Sequence, residues 1–174
     1  DIKVRDAIGR EWQGTTIQLD YQQPERFQLE YIGSDNKPHR PVMMHRAIYG
    51  TIERFVGLLI EHFAGAFPLW LAPEQVRVVP ITGEQAPAGK KIHERLKAMA
   101  VRSHLDERNE TLNYRIRDGE LMKLPYIVVV GQREVEQGTV AVRARGAGNK
   151  QEVLPVDAFE RRLQAEIASR SLKL

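Results

Sequence analysis

Apolar residues recur along this chain with two different periods, and the change of period marks its elements. From Trp12 to Tyr21 polar and apolar side chains alternate, the period-two signature of a strand. Ile17, Leu19 and Tyr21 share one face and are expected to meet a core, while Thr16, Gln18 and Asp20 form a polar row on the other. Such a row is either the solvent side of an antiparallel sheet or the floor of a ligand site. Short strand material over residues 27–32 lies between turns at Pro24 and at 33–38, as in a hairpin or meander, and residues 41–45 read as another strand. Then the period lengthens. Ile52, Phe55, Val56, Leu59, Ile60 and Phe63 fall at helical spacing, with Thr51 or a neighbour suited to the N-cap and Glu53 to the first turn. Arg54 fits that turn badly: a cation there opposes the helix macrodipole by about 0.3–1 kcal/mol unless an anion neutralises it.

The Pro- and Gly-punctuated stretch 65–73 ends this helix and reads as a short, packed linker. Beyond it strands and helices alternate. The pattern predicts a strand over 76–81 and a helix over 88–99 carrying Ile92, Leu96 and Met99 on one side. A strand over 101–105 and a helix over 111–122 follow. The continuous apolar run 125–130 predicts a central strand buried on both faces. Residues 134–144 read as a hairpin turning at Gly138, and 159–169 as a closing helix with Leu163 and Ile167 inward. This order describes an α/β domain with a mixed sheet.

Composition narrows the chemistry. A chain of 174 residues suits one large or two small domains and can bury a real core. The absence of cysteine excludes a disulfide scaffold, a thiolate nucleophile and a zinc site built from this chain's thiolates. The longest apolar stretches carry charges within a few residues, so no span of about 20 apolar residues is present, and the first residues hold no signal-peptide core. The chain opens in strand-like sequence without an initiator Met, which suggests a fragment. The net charge of +3 is unevenly spread: residues 1–75 carry 8 basic and 10 acidic side chains, residues 76–174 carry 18 and 13. A basic half fits either a polyanionic partner or an ordinary solvated surface. His45, at a strand end, reads either as a hydrogen-bonded structural residue or as a metal ligand. His39, His62, His93 and His104 share no ligand spacing with it.

Several segments, in order, carry a resemblance. They are 11–20 (EWQGTTIQLD), 24–27 (PERF), 40–47 (RPVMMHRA), 50–55 (GTIERF), 67–73 (FPLWLAP), 76–81 (VRVVPI), 106–109 (DERN), Pro125-Tyr126, 131–136 (GQREVE), 140–145 (VAVRAR) and 169–173 (SRSLK). Together they resemble the threonyl-tRNA synthetase family of class II aminoacyl-tRNA synthetases over essentially the whole chain. The implied fold class is α/β. Residues 1–66 would be an α+β, antiparallel-sheet remnant of the class II catalytic domain, 67–75 a linker, and 76–174 an anticodon-binding domain with a mixed five-stranded sheet flanked by helices. The first two class II signatures, and the editing domain of many bacterial members, match nothing in these residues.

The resemblance assigns roles residue by residue. Arg54 matches the third-signature arginine, a catalytic and ATP-binding position. A guanidinium is always charged and presents a planar fork of donors, which suits it to brace polyphosphate. Gln13, Thr16 and Gln18 match positions lining the adenylate and threonine pocket, with Asp20 beside them. Gln13 has the wrong parity for the polar face, and Gly14 departs from the cysteine of some members. His45 matches the histidine that holds zinc with a cysteine and a second histidine from upstream. Asn109, Glu134 and Arg143 match anticodon-reading positions, where amide, carboxylate and guanidinium groups suit unpaired base edges. The implied activity is threonine–tRNA ligation with Mg-ATP, threonine and tRNA-Thr as partners, in a cytoplasmic, homodimeric parent without a membrane. Two other readings stay open: a non-catalytic tRNA-binding fragment or accessory module, and another synthetase of the subclass such as the prolyl enzyme. His45 and the 13–20 stretch argue against another synthetase and against an accessory paralogue.

Overall fold

The alternating stretch from Trp12 to Tyr21 is divided in two in the computed structural model, which describes residues 1–148 and 150–172. β1 (Lys3–Arg5) and β2 (Glu11–Gln13) form an antiparallel ribbon, and β3 (Thr16–Asp20) leaves it for a different partner. The break lies at Gly14-Thr15, where Gly14 N donates to the Ile2 carbonyl (3.0 Å) and Ile2 N donates to that of Thr15 (2.7 Å). A turn of helix the sequence reading missed, α1 (Gln22–Arg26), follows. Asp20 Oδ1 accepts from Gln22 N and Gln23 N at 2.9 and 3.0 Å, and Pro24 sits in the first turn, where its missing N–H costs nothing. The strand expected over 27–32 is reduced to β4 (Tyr31–Ile32), which pairs with β5 (Pro38–His39). β6 (Met43–Ala47) pairs antiparallel with β3. α2 (Ile52–Phe63) has the bounds its apolar spacing predicts. It starts from an extended Thr51 without a side-chain cap, and ends where Ala64 turns left-handed (φ 48°) and Gly65 N donates to the Ile60 carbonyl.

These elements make up one unit, residues 1–65; residues 66–174 make up a second. The expectation that Ile17, Leu19 and Tyr21 meet a core fails: they are 57%, 55% and 61% exposed. Within 1–65 only Pro24 is buried. Three two-stranded ribbons and two helices, one of them a single turn, supply no second layer to close over those faces.

The second unit closes its own core. β7 (Val76–Pro80), α3 (Ala86–Ala98), β8 (Ser103–Leu105), α4 (Leu112–Leu121) and β9 (Tyr126–Val130) alternate, followed by α5 (Gln132–Gln137), β10 (Thr139–Ala144), β11 (Glu152–Pro155) and α6 (Val156–Ser169). The sheet order is β11-β10-β9-β7-β8, with β7 parallel to β8 and β9, and β10 antiparallel to β9 and β11. This is the mixed five-stranded sheet with helices that the sequence implied. All residues of β7 and β9 are buried, as the continuous apolar run of β9 requires; in β7 the buried Arg77 is paired with Glu74 and Asp118. Ile92 and Leu96 of α3, and Phe159 and Leu163 of α6, pack with Val78, Tyr126, Val128, Val130, Val140 and Val142.

The expected hairpin over 134–144 is wrong. Residues 132–137 are helical because the Glu134 carboxylate accepts from Gly131 N at 3.0 Å, satisfying one of the unpaired donors of a first turn. Gly138 ends the helix at φ 64°, a left-handed conformation that glycine adopts at no steric cost. β10 is then a single strand between β9 and β11, the latter unanticipated. Residues 67–75 carry no regular element and pack within the second unit: Leu69 and Ala72 are buried. Gln75 Nε2 donates to the Leu69 carbonyl, and Arg102 donates to those of Ala72 and Trp70. Lys173, which closes the last resembling segment, lies outside the described residues.

Candidate functional sites

The β3–β6 register sets Gln18 opposite His45. Asp20, two residues along β3 on the same face, reaches the imidazole, its Oδ2 lying 3.0 Å from His45 Nε2. Its other oxygen caps α1, so one carboxylate joins a helix start to the histidine. The N–H of Gln23, and then the His45 ring, hold the Asp20 carboxyl below the usual carboxylate range. Gln18, Asp20, Gln23 and His45 line one open hollow. Thr16 Oγ1, on the same polar row, is buried without a hydrogen-bond partner, a situation that costs about 1–3 kcal/mol when nothing satisfies the group.

His45 offers one imidazole with a carboxylate on one nitrogen, the arrangement that orients metal-ligating histidines. Among the described residues no three His, Asp or Glu side chains gather as a metal site would require. The pair of one imidazole and one carboxylate is what the described residues bring together here.

Arg54 projects from the first turn of α2, and its Nη2 donates to the Gln13 carbonyl at 2.7 Å. The guanidinium also lies 5.8 Å from the centroid of Trp12, whose Nε1 donates to Asp6. Burial works against ionising Asp6, but donors from Trp12 and Arg10 prevail and bring its pKa to about 2. Gly50, at φ 68°, makes room: a Cβ there would come within 2.8 Å of Arg54 Nη2. The cation that fits poorly with the helix dipole is thus held by a carbonyl oxygen and an aromatic face, with no ion pair among the described residues. Gln13 lies on β2, apart from the Thr16–Gln18 row, and meets Arg54 through its backbone.

In the second unit, α3 and α4 carry the chain from β7 to β8 and then back past β7 to β9. The crevice at the carboxyl ends of these parallel strands is the place where such sheets bind ligands. Asn109 follows β8 there, exposed, in a hollow with Thr82, Asp106 and Arg115. Glu134, after β9, stands at the same end, its carboxylate engaged on Gly131 N. Arg143 does not join them. It lies opposite Ile127, near the start of β9, in a separate cavity of about 390 Å³ with Glu120, Arg145 and Gly146. Its Nη2 donates to Glu120 at 3.1 Å, and its Nε is buried without a partner. Sequence reasoning missed a group beside Asn109: Asp106, fully buried; Arg115, 5% exposed; and the ion pairs of Arg108 with Asp106 and Asp118. The Asp-x-Arg spacing at 106 and 108 was the available signal.

Comparison with known proteins matches both units. Residues 75–166 match the family described as the anticodon binding domain, and residues 1–63 the tRNA synthetase class II core domain (G, H, P, S and T). A relative named threonine–tRNA ligase from Caldanaerobacter subterraneus subsp. tengcongensis is 52% identical over 172 residues, covering 99% of this chain. The chain spans 27% of that relative's length. Among solved structures, the RNA binding domain of threonyl-tRNA synthetase from Cryptosporidium parvum aligns at a TM-score of 0.82 and 33% identity, over 94% of this chain and 42% of that one. The Giardia lamblia prolyl-tRNA synthetase, solved with prolyl-adenylate, shares the fold at a TM-score of 0.72 and 20% identity, over 96% and 39%. With a class II core segment and an anticodon-binding domain matched in order, and threonine–tRNA ligases aligned along nearly all of it, the chain belongs to the threonyl-tRNA synthetase family.

Proposed function

We propose that this chain contributes to threonine activation and anticodon reading in a threonine–tRNA ligase. The observation that carries the reading is the β3–β6 register, which gathers Gln18, Asp20 and His45 in a chain whose relatives bear that enzyme's name. In the reaction, the carboxylate of threonine attacks the α-phosphate of Mg-ATP and pyrophosphate leaves. The acyl group of the adenylate then passes to the 3′ end of tRNA-Thr. No side-chain nucleophile takes part, so positioning and charge stabilisation supply the catalysis. Arg54, fixed through one nitrogen on the Gln13 carbonyl, offers its remaining N–H groups to the phosphates. Thr16 and Gln18 line the adenylate, and the unpaired Thr16 hydroxyl has a partner only when the pocket is filled.

His45 would hold zinc, with the other ligands outside this chain. Bound there, the metal supplies a position that requires a hydroxyl, separating threonine from the nearly isosteric valine where an apolar pocket could not. Asn109 and Glu134 read unpaired base edges, and Arg143 pairs with a base or phosphate. The excess of basic over acidic side chains in 76–174 adds salt-sensitive attraction. A homodimeric, cytoplasmic parent belongs to the same reading.

A second reading applies to the chain by itself, favoured by the contrast between a unit with a closed core and one with a single buried residue: it grips tRNA without chemistry. Both are tested together. The isolated chain should bind a threonine tRNA stem-loop and show no threonine-dependent ATP–pyrophosphate exchange. In the full-length parent, His45→Ala should lower zinc content and threonine activation together. Normal zinc stoichiometry in that variant refutes the ligand assignment.

A further inference from the structure

We propose that Arg108 and Asp118 are positioning residues that preset the loop bearing Asn109, so that its amide meets one unpaired base without first being ordered. The inference rests on the reading of Asn109 as a base-contacting residue.

Asn109 stands on an irregular segment between β8 and α4, and its side chain makes no hydrogen bond among the described residues. A free loop there would lose conformational entropy on binding and blunt selectivity. This loop is tied down on both sides of that amide. At its entry, Asp106 N donates to the Val78 carbonyl at 2.9 Å. Arg115 donates to the carbonyls of Asp106 and Ile81 at 3.0 and 3.1 Å, joining the ends of β8 and β7. The Asp106 carboxylate accepts from Arg108 N, Nε and Nη2 at 3.2, 2.9 and 2.7 Å. Arg108 Nη2 also donates to Asp118 Oδ2 at 2.9 Å. That oxygen accepts from Arg77 Nη1 at 2.8 Å, and Arg77, itself 4% exposed, is doubly bound to Glu74. Alternating charges thus run from the sheet to the residue just before Asn109, whose backbone N–H and side chain are both fixed.

Burial would raise the Asp106 pKa, but the Arg108 hydrogen bonds outweigh it and hold the carboxyl below its usual range; Asp118 is lowered first by Arg108 as well. A plainer role for Arg108 is a phosphate contact. Its guanidinium, however, already faces two carboxylates, which leaves little net charge for a phosphate.

The two roles predict opposite results for Asp118→Asn. Binding of the full chain would be measured by fluorescence anisotropy to an RNA stem-loop with a threonine anticodon, and to three stem-loops each with one anticodon base replaced. Positioning predicts that Asp118→Asn and Arg108→Ala each lose about tenfold of selectivity at one anticodon position, the same one affected by Asn109→Ala, with the other two positions unchanged. A uniform gain in affinity for all four RNAs in Asp118→Asn, as a freed phosphate-binding cation would give, overturns the proposal. So does retained selectivity in both variants while Asn109→Ala loses it. Retained selectivity in Asn109→Ala overturns instead the reading of Asn109 on which the proposal rests. Should Asp118→Asn unfold by stranding Arg77, Arg108→Ala carries the test, since that side chain is 44% exposed and its loss leaves the Arg77–Asp118 pair intact.

Discussion

In residues 66–174 the apolar faces written in the sequence meet one another; in residues 1–65 faces of the same kind meet water. α6 turns Phe159 and Leu163 into a core, whereas α2, with equally regular spacing, buries no residue and leaves Ile52, Val56 and Ile60 about half exposed. Pro24 apart, every buried apolar side chain among the described residues belongs to the second unit. Periodicity therefore specifies an element and the direction of its apolar face, but burial needs a layer to receive that face. The second unit supplies its own layers: a five-stranded sheet with α3 and α6 packed on it. The first offers three ribbons and two helices, and leaves many large apolar side chains exposed.

The largest effect should come from separating the units. Residues 66–174 alone should unfold in one cooperative thermal transition, and residues 1–65 alone should show none; a cooperative transition in the latter would break the comparison. Point substitutions sharpen it. Leu96→Ala, in a fully buried position, should cost about 2–5 kcal/mol in urea unfolding. Leu19→Ala, at a site 55% exposed, should stay within about 0.5 kcal/mol. A smaller effect is expected from acid. Asp106 and Asp118 have folded pKa values below their ordinary 3.8. Their contribution is therefore complete above the unfolded value and is lost as pH falls through the folded values. The midpoint of the second unit should drop on acidification below about pH 4, and Asp118→Asn should flatten that drop. An identical acid profile in the variant would contradict the assigned network.

The sequence carries a feature plainly where one local signal decides it. The spacing from Ile52 to Phe63 and the Gly65 that follows bound α2, and the run 125–130 reads as the buried central strand β9. Where a hydrogen bond between two alternatives decides, the pattern misleads. Residues 134–137 alternate well enough for a strand, yet the Glu134 carboxylate on Gly131 N makes them helix. Ten alternating residues become two strands because Gly14 and Thr15 bond back to Ile2. In the candidate sites, Arg54 was visible as a cation at odds with the helix dipole, but the Gln13 carbonyl and Trp12 that hold it lie about 40 positions away in sequence. Asp20 and His45, and likewise Arg77 and Asp118, meet only through strand register and helix packing, which no local pattern encodes.

Selective RNA binding is the property on which the anticodon-reading role of the chain stands or falls. The chain would be titrated with two stem-loops that differ only in the anticodon, one complementary to a threonine codon and one not. Binding should be tighter by about tenfold or more for the threonine anticodon, with the preference surviving in salt that weakens both complexes. Equal affinity for the two stem-loops at every salt concentration would contradict it.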